Sequence, residues 1–247
     1  MRCVSLVRPL LAVGLLSVLG SASAQTLHTV QQSGFSFSPA NITIDVGDTV
    51  RWVWNSNDHT VTEGPGPIPV GGEAFNSLLS AGSPVVTVKF DGKLLFDFPR
   101  AGNVYDYYCI PHFAFNQVGS VTVNSPWTND GFALAGVNGD PCLYGNGPLT
   151  AGSNAELVLE NAAPNALVGL FISFASIPTP FKGGTLCTIP LDSLTLFPIG
   201  PTGSVTLPSV IPGGIPAGTE VFWQYAIQDA AAIKGVAMSN CLRSTFP

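Results

Sequence analysis

Basic residues are scarce in this chain and never gather. Nine lysines and arginines stand singly among 247 residues, against fifteen acidic ones. No stripe of positive charge exists to neutralise a phosphate backbone, so nucleic-acid binding has no electrostatic footing. Histidine is scarcer still, with only His28, His59 and His112. Three imidazoles, one of them near the N-terminus, cannot furnish a multinuclear metal cluster, and the half beyond residue 126 holds none at all. Past the first two dozen residues no run approaches the ~18 uninterrupted apolar residues of a membrane-spanning helix, so no integral membrane segment is expected. No convincing long helical pattern occurs either.

What the N-terminus does have is an export pattern. Arg2 and Arg8 flank a short basic region, Leu10 to Leu19 is apolar, and Ala22-Ser23-Ala24 is a small-x-small cleavage site. Residues 1–24 are expected to be a cleaved signal peptide, with the mature chain starting at Gln25 in the secreted, periplasmic or cell-envelope space. No cysteine stands at the cleavage point, which argues against a lipoprotein anchor. Loss of Arg2 and Arg8 leaves seven basic against fifteen acidic residues, a net charge of −8.

The rest reads as short strands. Ile42 to Val46 alternates, Gly47-Asp48 turns, and Thr49 to Trp54 follows with Val50, Trp52 and Trp54 on one face. Val85 to Phe90, Tyr105 to Cys109 and Ser120 to Val123 complete a first set, with a proline- and glycine-rich loop from Gly64 to Gly72. A boundary falls at Asn124-Ser125-Pro126. Beyond it, Ala155–Glu160, Leu167–Phe174, Leu191–Phe197, Ser204–Leu207 and Glu220–Ile227 form a second series between proline-rich turns. The expected fold class is all-β, a Greek-key β-sandwich followed by a second β-sandwich-like domain.

The chemistry gathers at Cys109-Ile110-Pro111-His112, with Gln117 five residues on and His59 fifty residues upstream of Cys109. One soft thiolate, two imidazoles and a weak oxygen donor suit a copper ion cycling between two oxidation states. Pro111 stiffens the turn that aims His112. His28 falls outside this pattern and reads as a solvated residue. Thr60 is placed to order the loop beside His59, and Trp52, Trp54, Tyr105, Tyr107 and Tyr108 read as core.

The stretch from Tyr107 through Val123 resembles the copper loop of plastocyanin-type cupredoxins, C-x-P-H-x-x-x-x-M-x-G before a closing strand. Phe37 through Trp52 is similar to the family's F-x-P-x-x-x-x-x-x-x-G-D-x-V-x-W entry. The resemblance spans residues 27–124. It implies a cupredoxin domain over 25–125, with one type 1 copper held by His59, Cys109, His112 and Gln117. It also implies a protein redox partner reached through the edge of His112, with Phe113 and Phe115 as an apolar collar. Gln117 stands where plastocyanins carry Met, as in stellacyanins, which implies a lower reduction potential because a harder donor favours Cu(II).

Residues 126–247 are expected to form a β-rich domain, and their sequence names no activity. Cys142, Cys187 and Cys241 remain for disulfide chemistry. The expected pair is Cys142–Cys187, both after turn-rich segments, with Cys241 free or intermolecular, although sequence alone does not settle connectivity. Two other functions stay open beside an electron carrier. One is a copper oxidase or reductase, which needs an open position or further histidine centres. The other is a secreted binding or adhesion protein that keeps the fold without copper. Oligomeric state is left open.

Overall fold

A computed structural model describes residues 25–247; the expected signal peptide lies outside the described residues. In the N-terminal half, nine strands make two sheets. They are β1 Leu27–Ser33, β2 Ser36–Ser38, β3 Asn41–Asp45, β4 Thr49–Val53, β5 His59–Glu63, β6 Asn76–Leu79, β7 Val85–Lys89, β8 Val104–Tyr108 and β9 Val118–Asn124. One sheet runs in the order β2-β1-β4-β7 and the other β3-β9-β8-β5-β6. The β1–β4 and β3–β9 pairs are parallel, and the remaining pairs are antiparallel. Alternation explains the packing: Val50 and Trp52 of β4 turn inward with Val86 of β7, against Tyr105 and Tyr107 of β8 and Val121 and Val123 of β9. Trp52 meets the ring of Tyr107 edge-on at 5.3 Å. Burying several aromatic side chains, each able to remove about 150 Å² or more from water, adds to the apolar drive for folding this half.

The strand segments anticipated at 42–46, 49–54, 85–90, 105–109 and 120–123 are all present, within two residues at each end. Strands β1, β2, β5 and β6 were not anticipated. Polar, weakly alternating stretches such as Leu27-His28-Thr29-Val30-Gln31-Gln32-Ser33 become strands because neighbours supply the ladder. A short helix, α1 Gly92–Asp97, also forms, capped by Asp91, whose carboxylate accepts the Leu94 N–H at 3.0 Å.

The C-terminal half adds β10 Trp127–Gly131, β11 Cys142–Asn146, β12 Asn154–Glu160, β13 Leu167–Ser173, β14 Thr179–Phe181, β15 Gly184–Leu186, β16 Ser193–Pro198, β17 Val205–Val210, β18 Glu220–Gln228, β19 Val236–Met238 and β20 Cys241–Thr245. Its larger sheet follows β10-β20-β18-β13-β16 with β19 on β18, and β11-β12-β17 forms a second. Leu143, Leu159, Val168, Tyr225 and Ile227 are among its buried side chains.

The disulfide corrects the expected pairing. Cys187 bonds Cys241, and Cys142 is free and buried. The reason is the buried Gln224 of β18. Its amide oxygen accepts the Cys187 N–H at 2.8 Å, and its nitrogen donates to the carbonyls of Thr185 and Ser239 at 3.0 Å each. That clamp sets Cys187 beside Cys241, Cα to Cα 6.1 Å. Cys142 instead packs with Tyr144 and Val158 under Phe96 of α1, in a buried cluster separate from that of Cys187 and Cys241. Turn content around a cysteine carried no information about its partner.

The halves meet at α1. The Gly92 N–H donates to Asn146 Oδ1 at 2.8 Å, and Trp127 packs against buried clusters of both halves. This contact sits beside the Gly47-Asp48 turn, since Phe90 N–H donates to Asp48 O at 2.8 Å. It therefore lies at the opposite end of β4 from the loop leading to His59.

Gly119 of β9 is a close-approach glycine. A Cβ there would stand 2.2 Å from the Ala40 carbonyl oxygen and 2.4 Å from Tyr107 Cζ. Tyr107 cannot swing aside without losing its own hydrogen bond to that carbonyl, 2.9 Å long. Gly119→Ala is expected to cost about 1–3 kcal/mol or more, read as a lowered midpoint in urea denaturation.

Candidate metal centre

Antiparallel pairing of β5 with β8, Thr62 opposite Tyr108, brings the start of one strand beside the end of the other. His59 opens β5 and Cys109 follows β8, so residues fifty apart in sequence become neighbours. Thr60 locks the junction as anticipated: its hydroxyl accepts the Ile110 N–H at 2.8 Å, and its own N–H points at Cys109 Sγ at 3.4 Å. The loop from 109 to 117 then folds back on itself. Cys109 N–H donates to Gln117 O at 3.0 Å, Phe113–Phe115 makes a single 3₁₀ turn, and Asn116 adopts a left-handed conformation that reverses the chain into β9. Asparagine tolerates that conformation better than most residues.

Four donors converge as a result. Cys109 Sγ lies 3.5 Å from His59 Nδ1 and 3.3 Å from His112 Nδ1, and the two Nδ1 atoms are 3.0 Å apart. Gln117 Oε1 is 2.9 Å from His59 Nδ1. Cys109 and Gln117 are fully buried, His59 is 1% exposed, and His112 is half-buried. Among the described residues, His59, Cys109 and His112 are the one cluster of histidine, cysteine and carboxylate side chains placed to share an ion.

The donors fit a metal. Ligand bonds of about 2.0–2.3 Å hold donors a little over 3 Å apart, close to the 2.9, 3.0, 3.3 and 3.5 Å found here. A soft sulfur, two imidazole nitrogens and a weak oxygen are a set that suits copper. Burial pushes the Cys109 thiol up, opposed by N–H groups from Thr60 and His112. Burial first, then the neighbouring His59, pulls His112 down, opposed by Gln117. Both directions favour the uncharged forms of these two side chains.

The expected residues are thus together, Gln117 included. His28 is not a free solvated histidine: its Nε2 lies 2.8 Å from the Asp48 carboxylate, and its side chain is 28% exposed. Trp52, Tyr105, Tyr107 and Tyr108 are buried core, while Trp54 is half-buried beside it. Phe115 is 61% exposed. Phe113 turns instead onto Tyr108, edge-on at 5.6 Å. The ring beside His112 is Phe35, 4.7 Å from the imidazole and stacked on Phe115 at 4.7 Å. Sequence reading missed Phe35 because it lies in the Gly34 turn, outside any motif. It also missed Gln32, wholly buried behind His59. An inward glutamine two residues after the inward Val30 was the available signal, legible only once β1 is known to be a strand.

The class defined by this fold and site is a two-sheet β-sandwich that brings a cysteine, two histidines and an amide oxygen to one point. Through this half the chain belongs to the plastocyanin/azurin family of copper binding proteins, whose family model matches residues 24–124. It is 33% identical over 118 residues to the chloroplastic plastocyanin of Tetradesmus obliquus, covering 45% of this chain and 75% of that one. To the plastocyanin of Vicia faba it is 30% identical over 107 residues, covering 40% and 99%. Among solved structures, the oxidized plastocyanin of Dryopteris crassirhizoma aligns with 39% of this chain and 99% of its own at 24% identity and a TM-score of 0.30. Among the described residues no helix is long and apolar enough to cross a membrane.

Proposed function

We propose that residues 25–125 form a type 1 copper domain that carries single electrons between protein redox partners outside the cytoplasm. Residues 126–247 would be a second domain that locates it. The observation that supports this most is the triangle of His59, Cys109 and His112 donors, sealed from solvent except at His112. Bound there, copper supplies a one-electron couple. The protein's part is to hold donors in a geometry tolerable to both oxidation states, and two strand ends plus a hydrogen-bonded loop do so. Cys109 would hold the metal as its thiolate, its proton released to solvent. His59 and His112 would offer Nδ1, and Gln117 Oε1 would be the weak fourth donor. His112 reaches the surface inside an apolar rim of Phe35 and Phe115, which suits a partner approaching closely enough for electron transfer. The C-terminal half touches the far end of the sandwich through α1 and leaves this rim uncovered. A binding protein that has abandoned copper is disfavoured by the complete donor set.

The test is the visible absorption and electron paramagnetic resonance spectrum of residues 25–247 after Cu(II) addition. An intense band toward the red with a narrow hyperfine splitting is expected. A colourless protein that takes up no copper would overturn the proposal. Gln117→Met should raise the reduction potential, because the softer thioether favours Cu(I). An unchanged potential would show that the Gln117 oxygen does not act on the metal.

A further inference from the structure

We infer that the C-terminal sandwich binds a compact, uncharged apolar molecule, a single aromatic ring or a hydrocarbon of similar size, in a cavity between its two sheets. Copper plays no part in this site, which lies wholly in the half that carries none of the proposed metal ligands.

Strand register shows where the space comes from. β12 pairs with β17 so that Leu157 stands opposite Leu207, and Ala155 opposite Ser209. Directly opposed residues of an antiparallel pair share a face. Leu157, Leu207 and Ala155 all pack in the buried clusters, so this row points inward. Within two residues the row shrinks from a pair of leucines to an alanine and a serine. The facing sheet contributes Leu170 of β13 and Trp223 of β18, with Trp127 of β10 and Phe246 just after β20. These side chains do not close the gap, and a cavity of about 270 Å³ remains. Trp127, Leu207 and Trp223 are accordingly only half-buried. Protein cores hold few voids larger than a water molecule, and apolar space left unfilled costs stability. A ligand that fits would recover that loss.

The lining decides the chemical class. It carries no ionisable side chain. Its side-chain donors are all engaged: Trp127 Nε1 donates to the Gly147 carbonyl at 3.0 Å, and Trp223 Nε1 to Ser244 Oγ at 2.9 Å. The hydroxyls of Ser209 and Ser244 donate to the carbonyls of Ala155 and Val221, at 3.3 and 3.2 Å. A charged or strongly hydrated molecule would lose its water here and gain no partner. An apolar one gains contact with two indoles and several leucines. Access is open, because Pro208, Ser209, Val210 and Pro212 at the rim are all exposed. The two prolines offer no N–H there. An apolar cavity of about 150 Å³ is enough for benzene, so this one admits a ring with substituents.

Bromobenzene tests this on residues 25–247, because its bromine quenches an indole only near contact. Tryptophan emission is expected to fall along a saturable curve. Trp223→Phe removes one lining indole and should shrink the saturable part, since Trp52 and Trp54 lie in the other half. At pH 7, 4-bromobenzoate, a similar ring with a charge, should show no saturable quenching. Ser209→Leu puts apolar bulk at the mouth and should weaken bromobenzene binding at least about tenfold, because leucine and ring would claim the same space. Bromobenzene quenching that rises without saturation, or equal saturation by 4-bromobenzoate, would overturn the inference even if a variant fails to fold. Saturable quenching left unchanged in folded Trp223→Phe and Ser209→Leu would place the bound ring elsewhere and overturn it as well.

Discussion

Cys109→Ser is expected to abolish the intense visible band completely while leaving the fold intact. The thiolate is the only soft donor in the cluster, and the colour of such a site belongs to the copper–sulfur bond. Serine fits the same cavity with less volume, and its hydroxyl can still meet the Thr60 N–H that now points at the sulfur. The loop keeps its backbone closures, Cys109 N–H to Gln117 O and His112 N–H to Cys109 O. Circular dichroism should therefore be unchanged and copper affinity reduced, with any residual copper giving a weak spectrum. A control is built into the chain. Cys142 is the other free cysteine among the described residues, and it is buried in the other half. Burial pushes its thiol up to about 12, so it is a poor thiolate. Cys142→Ser should leave the band unchanged. Loss of the band in Cys142→Ser but not in Cys109→Ser would place the colour elsewhere and overturn the proposed site.

Replacing both Cys187 and Cys241 by serine should destabilise the C-terminal half by about 4 kcal/mol. The bond spans 54 residues, and a closed loop of that length restricts the unfolded chain by roughly this much on the chain-entropy account. Both sulfurs are fully buried, and the Gln224 clamp keeps the two segments together in the native state without the bond. The cost should therefore fall mainly on the unfolded ensemble rather than on native geometry. Denaturation followed by far-ultraviolet circular dichroism and by the copper band separates the halves. If they are independent domains, the circular dichroism of the C-terminal half shifts while the midpoint of the copper band stays put. Equal shifts in both signals would show that contacts at Gly92, Asn146 and Trp127 couple them into one cooperative unit.

How much of this was legible beforehand differs between the two halves. In the first half, Ile42–Val46, Thr49–Trp54 and Val85–Phe90 alternate strongly, and alternation is a local property of a half-buried strand. The Cys109–Gln117 loop carries its ligand spacing within nine residues, so three of the four proposed donors could be named from one short segment. His59 needed the resemblance as well, because nothing local says that residue 59 ends beside residue 109. In the second half there was no comparable motif, and the turn-rich segments before Cys142 and Cys187 pointed to the wrong disulfide. A buried glutamine, Gln224, had joined segments whose proximity no local pattern records.

The amino-acid sequence by itself determined that this chain is built of strands, that its few basic residues stand singly, and which residue types are on offer to the proposed metal. These follow from composition, periodicity and the chemistry of side chains close together along the chain. Tertiary structure alone decided that Cys187 meets Cys241, that Phe35 rather than Phe113 lines His112, and that Gln32 reaches His59 across 27 residues. Each of those contacts depends on strand register between distant segments. Register is set by how whole sheets bury their apolar faces.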